Sequence, residues 1–226
     1  VVLTEGKVGD ITIEAVPELI DWVEVENIGE DLNITMKKGK RNISAKKNVV
    51  VYIPIDKLER IKSLGSGDIY VKKDVVTTQL SVETRGSGDI AFKKIKSDKF
   101  FIKTSGSGDF LIQELNTGIA EINVFGSSDF KINLNAESTK LKVSGSSDLL
   151  LIGKTNDLDV VISGSSDAKL DKLLANQVNV TVSGAGDVIV SADKTIKAQV
   201  SGSGSIYYIG EADLVSQKIS GIGTIK

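Results

Sequence analysis

A four-residue motif, Gly-Ser-Gly-Asp or a close variant, recurs along most of this chain at a nearly constant spacing. Seven copies end in aspartate, and two degenerate copies follow, ending in Ser205 and Thr224. Successive fourth positions lie 18 to 21 residues apart. A fixed period of this length is typical of a solenoid, in which each repeat forms one rung and contacts only its neighbours. The seven copies occupy residues 65–68, 86–89, 106–109, 126–129, 145–148, 164–167 and 184–187.

The residues on both sides of each motif alternate between apolar and polar side chains, as strands with one buried face do. The first and third residues after the motif are apolar in eight copies, from Ile69 and Val71 to Ile206 and Tyr208. The fourth residue before the first glycine of each of these copies is also apolar. Each rung is therefore predicted to contain a strand, a short polar connection, a second strand and a Gly-Ser-Gly-Asp corner.

A mostly extended repeat of this length brings each corner back beside the previous corner only if the chain coils. Equivalent strands of successive repeats then stack in parallel about 4.8 Å apart. The sequence therefore predicts an all-β fold, a single-stranded parallel β-helix with rungs of about 20 residues over residues 61–226. An antiparallel meander is the alternative. It would reverse every second copy and leave the constant phase of the corner unexplained.

Residues 1–60 follow a different pattern, which predicts a β-rich N-terminal section leading into the solenoid. We expect this section to cover the open edge of the first rung, because an unpaired strand edge invites aggregation. The C-terminal rung, around Ile225, has no evident cap and is a candidate for self-association. The alternating segments of the N-terminal section lie at residues 10–13, 22–25, 32–36 and 49–53, with turn signals at 29–31 and 37–40.

The composition excludes several classes of function. The chain has neither cysteine nor histidine, which removes disulfides, thiolate and imidazole metal sites, cysteine nucleophiles and a Ser-His-Asp triad. A net charge of -2 provides no broad attraction for nucleic acid or an anionic membrane. No apolar run approaches the length needed to insert into a membrane. The chain begins at Val1 without an initiator methionine, as expected of a mature chain or one trimmed for expression.

The fourth positions of the seven complete motifs form a column of carboxylates about one strand spacing apart. Like charges this close repel unless they are solvated, hydrogen-bonded or bridged by a cation. In one interpretation each carboxylate accepts backbone N–H bonds at its own corner, while the glycines adopt positive φ and no cofactor is needed. In the other, neighbouring carboxylates and main-chain carbonyls bind Ca²⁺. The sequence favours the first interpretation, because such corners need no ligand to be explained. This aspartate column comprises Asp68, Asp89, Asp109, Asp129, Asp148, Asp167 and Asp187.

Two further sets of side chains repeat with the corners. Serines at the second motif position, from Ser66 to Ser165, predict a hydroxyl ladder, and the chain supplies no evident base to make one of them a nucleophile. The lysine pairs Lys72-Lys73 and Lys93-Lys94 are candidates for binding an acidic glycan or phosphate, although such lysines more often form a solvated face.

Large side chains also fall at positions that face outward. Tyr70, Leu111, Leu150 and Tyr207 predict an apolar patch on the outer face of the first sheet. Trp22, the single tryptophan, is either a platform for a sugar ring or, by the favoured interpretation, a buried anchor of the N-terminal section.

The order of segments resembles the "putative auto-transporter adhesin, head GIN domain" family of bacterial repeat proteins. The resemblance rests on an extended strand ending in a proline, at residues 48–54, then Leu58 to Ile61, then the first corner, and on the ending Ser220 to Gly223. It covers essentially the whole chain. It implies an exported, β-helical protein that is periplasmic, anchored in the outer membrane or at the cell surface. Members of the family are often lipoproteins, and the anchoring cysteine of such a protein would precede residue 1. The family defines no catalytic residues.

We therefore expect a non-enzymatic adhesion or cell-envelope scaffold that presents a repetitive surface to an extracellular glycan or protein. Two alternatives remain open. Parallel β-helices also host polysaccharide-acting enzymes, but the short connections of this chain leave little from which to build a cleft. The aspartate column alternatively indicates a structural rod stiffened by calcium.

Overall fold

A computed structural model describes residues 1–37 and 49–226. Contacts among these residues divide the chain into two compact units, Val1–Asp56 and Lys57–Lys226. The predicted turn at residues 37–40 lies outside the described residues from position 38 onward. A boundary at residue 60, and the role of the N-terminal section as a cover for the first rung, stay predictions.

The first unit consists of short strands and one turn of helix. The described elements are β1 (Val2–Thr4), β2 (Thr12–Glu14), α1 (Pro17–Ile20), β3 (Val23–Ile28), β4 (Asp31–Met36) and β5 (Val50–Pro54). β5 pairs in parallel with β1 and antiparallel with β2. β3 and β4 form a hairpin closed by Gly29 at φ 64. Glycine at the first position of a two-residue loop gives the backbone twist that such hairpins require.

The second unit is a parallel β-solenoid of about nine turns with rungs of roughly 19 residues, as the sequence predicts. Every described strand pair within it is parallel, and equivalent residues of successive rungs stand in register, as Phe110 does with Phe130. Its strands are β6 (Arg60–Ser63), β7 (Ile69–Val71), β8 (Val75–Thr84), β9 (Ile90–Phe92), β10 (Ile95–Thr104), β11 (Phe110–Gly126), β12 (Phe130–Gly145), β13 (Asp148–Gly164), β14 (Asp167–Gly184), β15 (Asp187–Gly202), β16 (Ser205–Ile209), β17 (Asp213–Gly221) and β18 (Thr224–Ile225).

The predicted inward columns form the core. Residues at the first and third positions after each corner are buried from Ile90 and Phe92 to Val188 and Val190. Hydroxyls stack inside the early rungs, where the Thr84 Oγ1 donates to the Thr104 Oγ1 at 2.8 Å. In the part of the chain that the structure describes, every buried side-chain nitrogen or oxygen has a hydrogen-bond partner. A polar residue in the core is therefore stabilised by the rung above or below it.

From β11 to β15, a single strand runs through the connection that the sequence predicts between two strands. Residues of the connection continue the ladder, since Asn116 and Thr117 pair in register with Asn135 and Ala136. The register shifts by one residue where successive rungs differ in length, for example between Leu150 and Gly153. The connection is thus a bend in a continuous strand, because its backbone also hydrogen-bonds to the next rung.

Close packing of backbone against backbone explains the first glycine of the corner. A Cβ on Gly106 would overlap the carbonyl oxygen of Gly86, and the same clash recurs at Gly126 with Gly106. The predicted positive φ occurs only from Gly145 onward among these first glycines, as at Gly164 with φ 123. At Gly86, Gly106 and Gly126, glycine is required by the contact between rungs and not by its own φ.

Candidate functional site

A groove of about 510 Å³ runs across the outer face of the solenoid beside the corners. Its floor is formed by the second residues after the corners, including Tyr70, Ala91, Leu111 and Leu150. Period-two alternation turns these side chains outward, because their neighbours in the strand fill the core. Tyr70 is 42% exposed and Leu111 38% exposed. The predicted apolar patch is therefore the floor of this outer groove, although Tyr207 does not line it.

The aspartate column forms one wall of the outer groove. Asp89, Asp109, Asp129, Asp148 and Asp167 line it, together with two lysines of the floor column. These five carboxylates have no salt bridge among the described residues. The wall is consequently an acidic row beside a floor that is apolar except for two lysines. The two lysines are Lys131 and Lys169.

Four of the five carboxylates of the wall accept a backbone N–H, and the donor lies in the next rung. The Asp109 N–H donates to the Asp89 Oδ1 at 2.9 Å, and the Asp129 N–H donates to the Asp109 Oδ1 at 3.0 Å. The step from Asp148 to Asp167 differs, because the Asp167 N–H donates to the carbonyl oxygen of Ser147. The sequence predicted a bond within one corner. The stacked register instead places the N–H of the following corner against the carboxylate.

The calcium interpretation of the column is testable by thermal unfolding. The described residues contain no group of three or more acidic side chains arranged to hold a metal ion. In most rungs, one oxygen of the aspartate carboxylate already accepts a backbone N–H. A single rung therefore has few carboxylate oxygens left to coordinate a cation. We expect excess Ca²⁺, compared with chelator, to leave the melting midpoint unchanged.

A saturable rise with calcium would contradict that expectation. A ligand at a hundred times its Kd stabilises the native state by about 2.7 kcal/mol. For a chain of this length that stabilisation corresponds to a rise of about 5 to 11 °C.

Tyr70 reports on the charge of the aspartate column. Its hydroxyl donates to the Asp68 Oδ2 over 3.4 Å, and the negative charge of Asp68 raises the pKa of Tyr70 above its ordinary value. We expect Asp68→Asn to lower the pKa of Tyr70 toward that value, measured by ultraviolet titration as the difference from a Tyr70→Phe background. An unchanged tyrosine titration would show that the carboxylate does not act on this ring.

The pair Lys93-Lys94 is not a free cationic surface. The Lys93 Nζ lies 2.9 Å from the Asp74 Oδ1, and the Lys94 Nζ lies 2.8 Å from the Glu114 Oε1. The hydrogen bond from Lys94 lowers the pKa of Glu114, and the same contact raises the pKa of Lys94. Both lysines are therefore paired with carboxylates of neighbouring rungs, as on a solvated face.

The structure places the serine column at the surface of the solenoid and Trp22 in the first unit. The second-position serines are exposed, and it is their backbone N–H groups that join the rungs, as Ser107 N–H does by donating to the Gly86 carbonyl. In the described rungs no hydrogen bond links their hydroxyls, so the predicted hydroxyl ladder is a backbone ladder. The hydroxyls that do bond are those of buried third-position serines, such as Ser128 and Ser147. Trp22 is half-buried in the first unit.

These features define a parallel β-solenoid with a grooved and repetitive outer face. A sequence profile described as "Putative auto-transporter adhesin, head GIN domain" matches residues 1–113 and 101–212, so the chain belongs to that family. None of the curated proteins matches the chain. Among the described residues no helix is long and apolar enough to cross a bilayer.

Solved structures from Parabacteroides share the fold. A "putative adhesin" from Parabacteroides distasonis has a TM-score of 0.70 at 21% identity, over 99% of this chain and 90% of that one. A "putative adhesin" from Parabacteroides merdae also has a TM-score of 0.70, at 20% identity, over 99% and 86% of the two chains. A "putative lipid binding protein" from Parabacteroides distasonis has a TM-score of 0.65 at 20% identity, over 99% and 90%. At these identities the similarity concerns the fold.

Proposed function

We propose that this protein is an exported, non-enzymatic adhesion or cell-envelope scaffold whose outer groove binds an extended extracellular ligand. The observation that carries the proposal is the outer groove itself, an open channel with an apolar floor and a row of carboxylates that have no ion-pair partner among the described residues. Membership of an adhesin family supports the same function.

The chemistry of the outer groove favours a protein ligand. Lysine and arginine lay their aliphatic stems along apolar surface while the charged head remains in water. Such side chains match a floor of Leu111 and Leu150 beside Asp109 and Asp129. Because the same pattern repeats with each rung, a ligand segment with several basic residues would find a carboxylate in more than one register.

An array of extracellular matrix proteins and glycans, probed with the purified protein, tests this function. The proposal predicts saturable binding to at least one matrix protein, weakened by salt because the exposed carboxylates are screened. A blank array, or turnover of pectin, alginate or chondroitin-type polymers, would overturn it in favour of another function or of a β-helix enzyme.

Self-association through the C-terminal rung remains part of the proposal. β17 is exposed along its whole length, and the apolar side chains Leu214, Val215 and Ile219 are 40%, 55% and 44% exposed. Among the described strands β17 pairs only with β15. An open strand edge with apolar side chains offers both hydrogen bonds and hydrophobic area to a second copy. A sedimentation coefficient that does not change with concentration would contradict this part.

A further inference from the structure

A second groove, of about 540 Å³, lies at the bend of the rungs, away from the aspartate column. Asparagine recurs in this part of the chain as Asn116, Asn135, Asn156 and Asn176, at steps of 19, 21 and 20 residues. The last three line the second groove, which we name the amide groove. Its side chains diverge because the ladder between rungs changes register here, between Leu170 and Leu174 and again after it.

The amides of this groove are held in place by one another. The Asn176 Nδ2 donates to the Asn156 Oδ1 at 2.7 Å, and the Asn135 Nδ2 donates to the Asn116 Oδ1 at 3.2 Å. Asn156 in turn donates to the Asp157 Oδ2 at 3.0 Å. A side chain that is already fixed loses less conformational entropy when a ligand binds. Asn135 and Asn176 are therefore each restrained by an asparagine of the preceding rung, in two separate pairs, because the register sets Asn135 beside Lys154.

Much of the hydrogen-bonding capacity of the amides is not used by the described residues. An asparagine amide carries two N–H donors and a carbonyl oxygen that accepts twice. Asn135 and Asn176 each use one N–H, which leaves a second N–H and the carbonyl oxygen of each amide for a ligand. A donor and an acceptor side by side match two neighbouring hydroxyls, one of which accepts while the other donates.

The remaining lining of the amide groove has the same character. Lys154 contributes further donors and Glu137 and Asp193 contribute acceptors, and the charges of these three lining residues sum to -1. Leu174 is 62% exposed within the groove and presents an apolar surface to the C–H face of a sugar ring. A long charged ligand gains little here, in contrast to the outer groove with its uncompensated carboxylates.

We infer that the amide groove is a binding site for neutral oligosaccharide. The chain would then have two ligand surfaces, with protein bound at the outer groove and glycan at the bend of the rungs. This inference rests on the proposed adhesive function. It assigns a class of ligand to the amide groove, which lies outside the outer groove.

Titration with short neutral oligosaccharides tests the inference. The probes are oligomers of β-linked glucose and of α-linked mannose, followed by saturation-transfer NMR and calorimetry on the full chain. We expect Asn135→Ala combined with Asn176→Ala to weaken binding by about tenfold or more. The matched control is Asn179→Ala, an exposed asparagine on the same strand as Asn176 that does not line the groove, and it should bind as the unaltered protein does.

The outcomes separate this inference from the proposed function. Binding of neutral oligosaccharide that is lost in the double variant and kept in the control supports the amide groove. No binding of either oligomer, equal binding by the double variant, or binding only of charged peptides overturns it. If oligosaccharide binding fails but the protein still binds a matrix protein, the proposed adhesive function is retained. If neither oligosaccharide nor matrix protein binds, both proposals are wrong.

Discussion

Replacing Phe110 with alanine is expected to lower the free energy of unfolding by about 3 to 5 kcal/mol. Phe110 is 2% exposed, and its ring stacks on that of Phe130 with centroids 4.7 Å apart and planes 3° from parallel. The substitution removes both the buried area and the stacked pair, and rungs above and below hold the backbone so that the cavity cannot collapse. The expected fall in the melting midpoint is roughly 6 to 20 °C.

Phe125 provides the matched control for this experiment. It lies on β11, as Phe110 does, but its side chain is 48% exposed. Phe125→Ala should shift the midpoint only slightly, because the side chain already contacts water. Equal shifts for the two variants, by circular dichroism or calorimetry, would show that the interior column does not stabilise the solenoid as the structure indicates.

Replacing Gly106 with alanine is expected to destabilise the protein by about 3 kcal/mol, at the upper end for an overpacked interior. The new Cβ would overlap the carbonyl oxygen of Gly86, which accepts the Ser107 N–H. Backbone cannot move aside as a flexible side chain can, so the rungs must separate and their ladder must weaken. The expected fall in the midpoint is roughly 6 to 12 °C.

Gly65, at the same position of the first corner, is the control. An added Cβ there meets nothing within 4 Å, and its φ lies outside the left-handed region. Gly65→Ala should therefore be neutral or slightly stabilising, because alanine restricts the unfolded chain more than glycine does. A comparable loss of stability in both variants would place the cause in the corner's own conformation and not in the stacking of rungs.

The periodicity of the sequence was sufficient to predict the solenoid and its core. The alternation around each corner correctly assigns residues such as Phe92, Ile122 and Val160 to the interior. The assignment is correct because every rung has the same local structure, so a position that faces inward in one copy faces inward in all copies. The outward position of Tyr70 and Leu111 follows from the same alternation, and with it the floor of the outer groove.

Features that depend on contacts between rungs were not predictable from one repeat. The sequence places an acceptor at Asp89, but only the register shows that its N–H donor belongs to Asp109. The pairing of Lys94 with Glu114 joins equivalent positions of successive rungs, and the repeat alone does not show that these two side chains meet. A periodic pattern shows which side of the strand a residue faces, and not which polar atom of the next rung meets it.

The amide groove was missed although the sequence contains a signal for it. The connections were interpreted as variable polar segments, which hid the recurrence of Asn135, Asn156 and Asn176 near the rung period. Their relation becomes visible only when the bends stack and Asn176 reaches the Asn156 carbonyl oxygen. Recurring asparagines in the connections of a solenoid are a sign of such a ladder.

The most direct test of the central claim is a binding titration of a matrix protein from the array with an altered outer groove. Leu111→Lys combined with Leu150→Lys replaces apolar side chains of the floor with positive charges. These charges would repel a basic ligand. The fold should accept the change, because Lys131 and Lys169 already occupy the same outward column. Val76→Lys, at a side chain that is 72% exposed and outside both grooves, is the control.

We expect the unaltered protein and the control to bind alike and the double variant to bind about tenfold more weakly or worse. Circular dichroism should show that all three chains are folded. Equal binding by all three would contradict the account, because the ligand would then have to be held by some other surface of the solenoid.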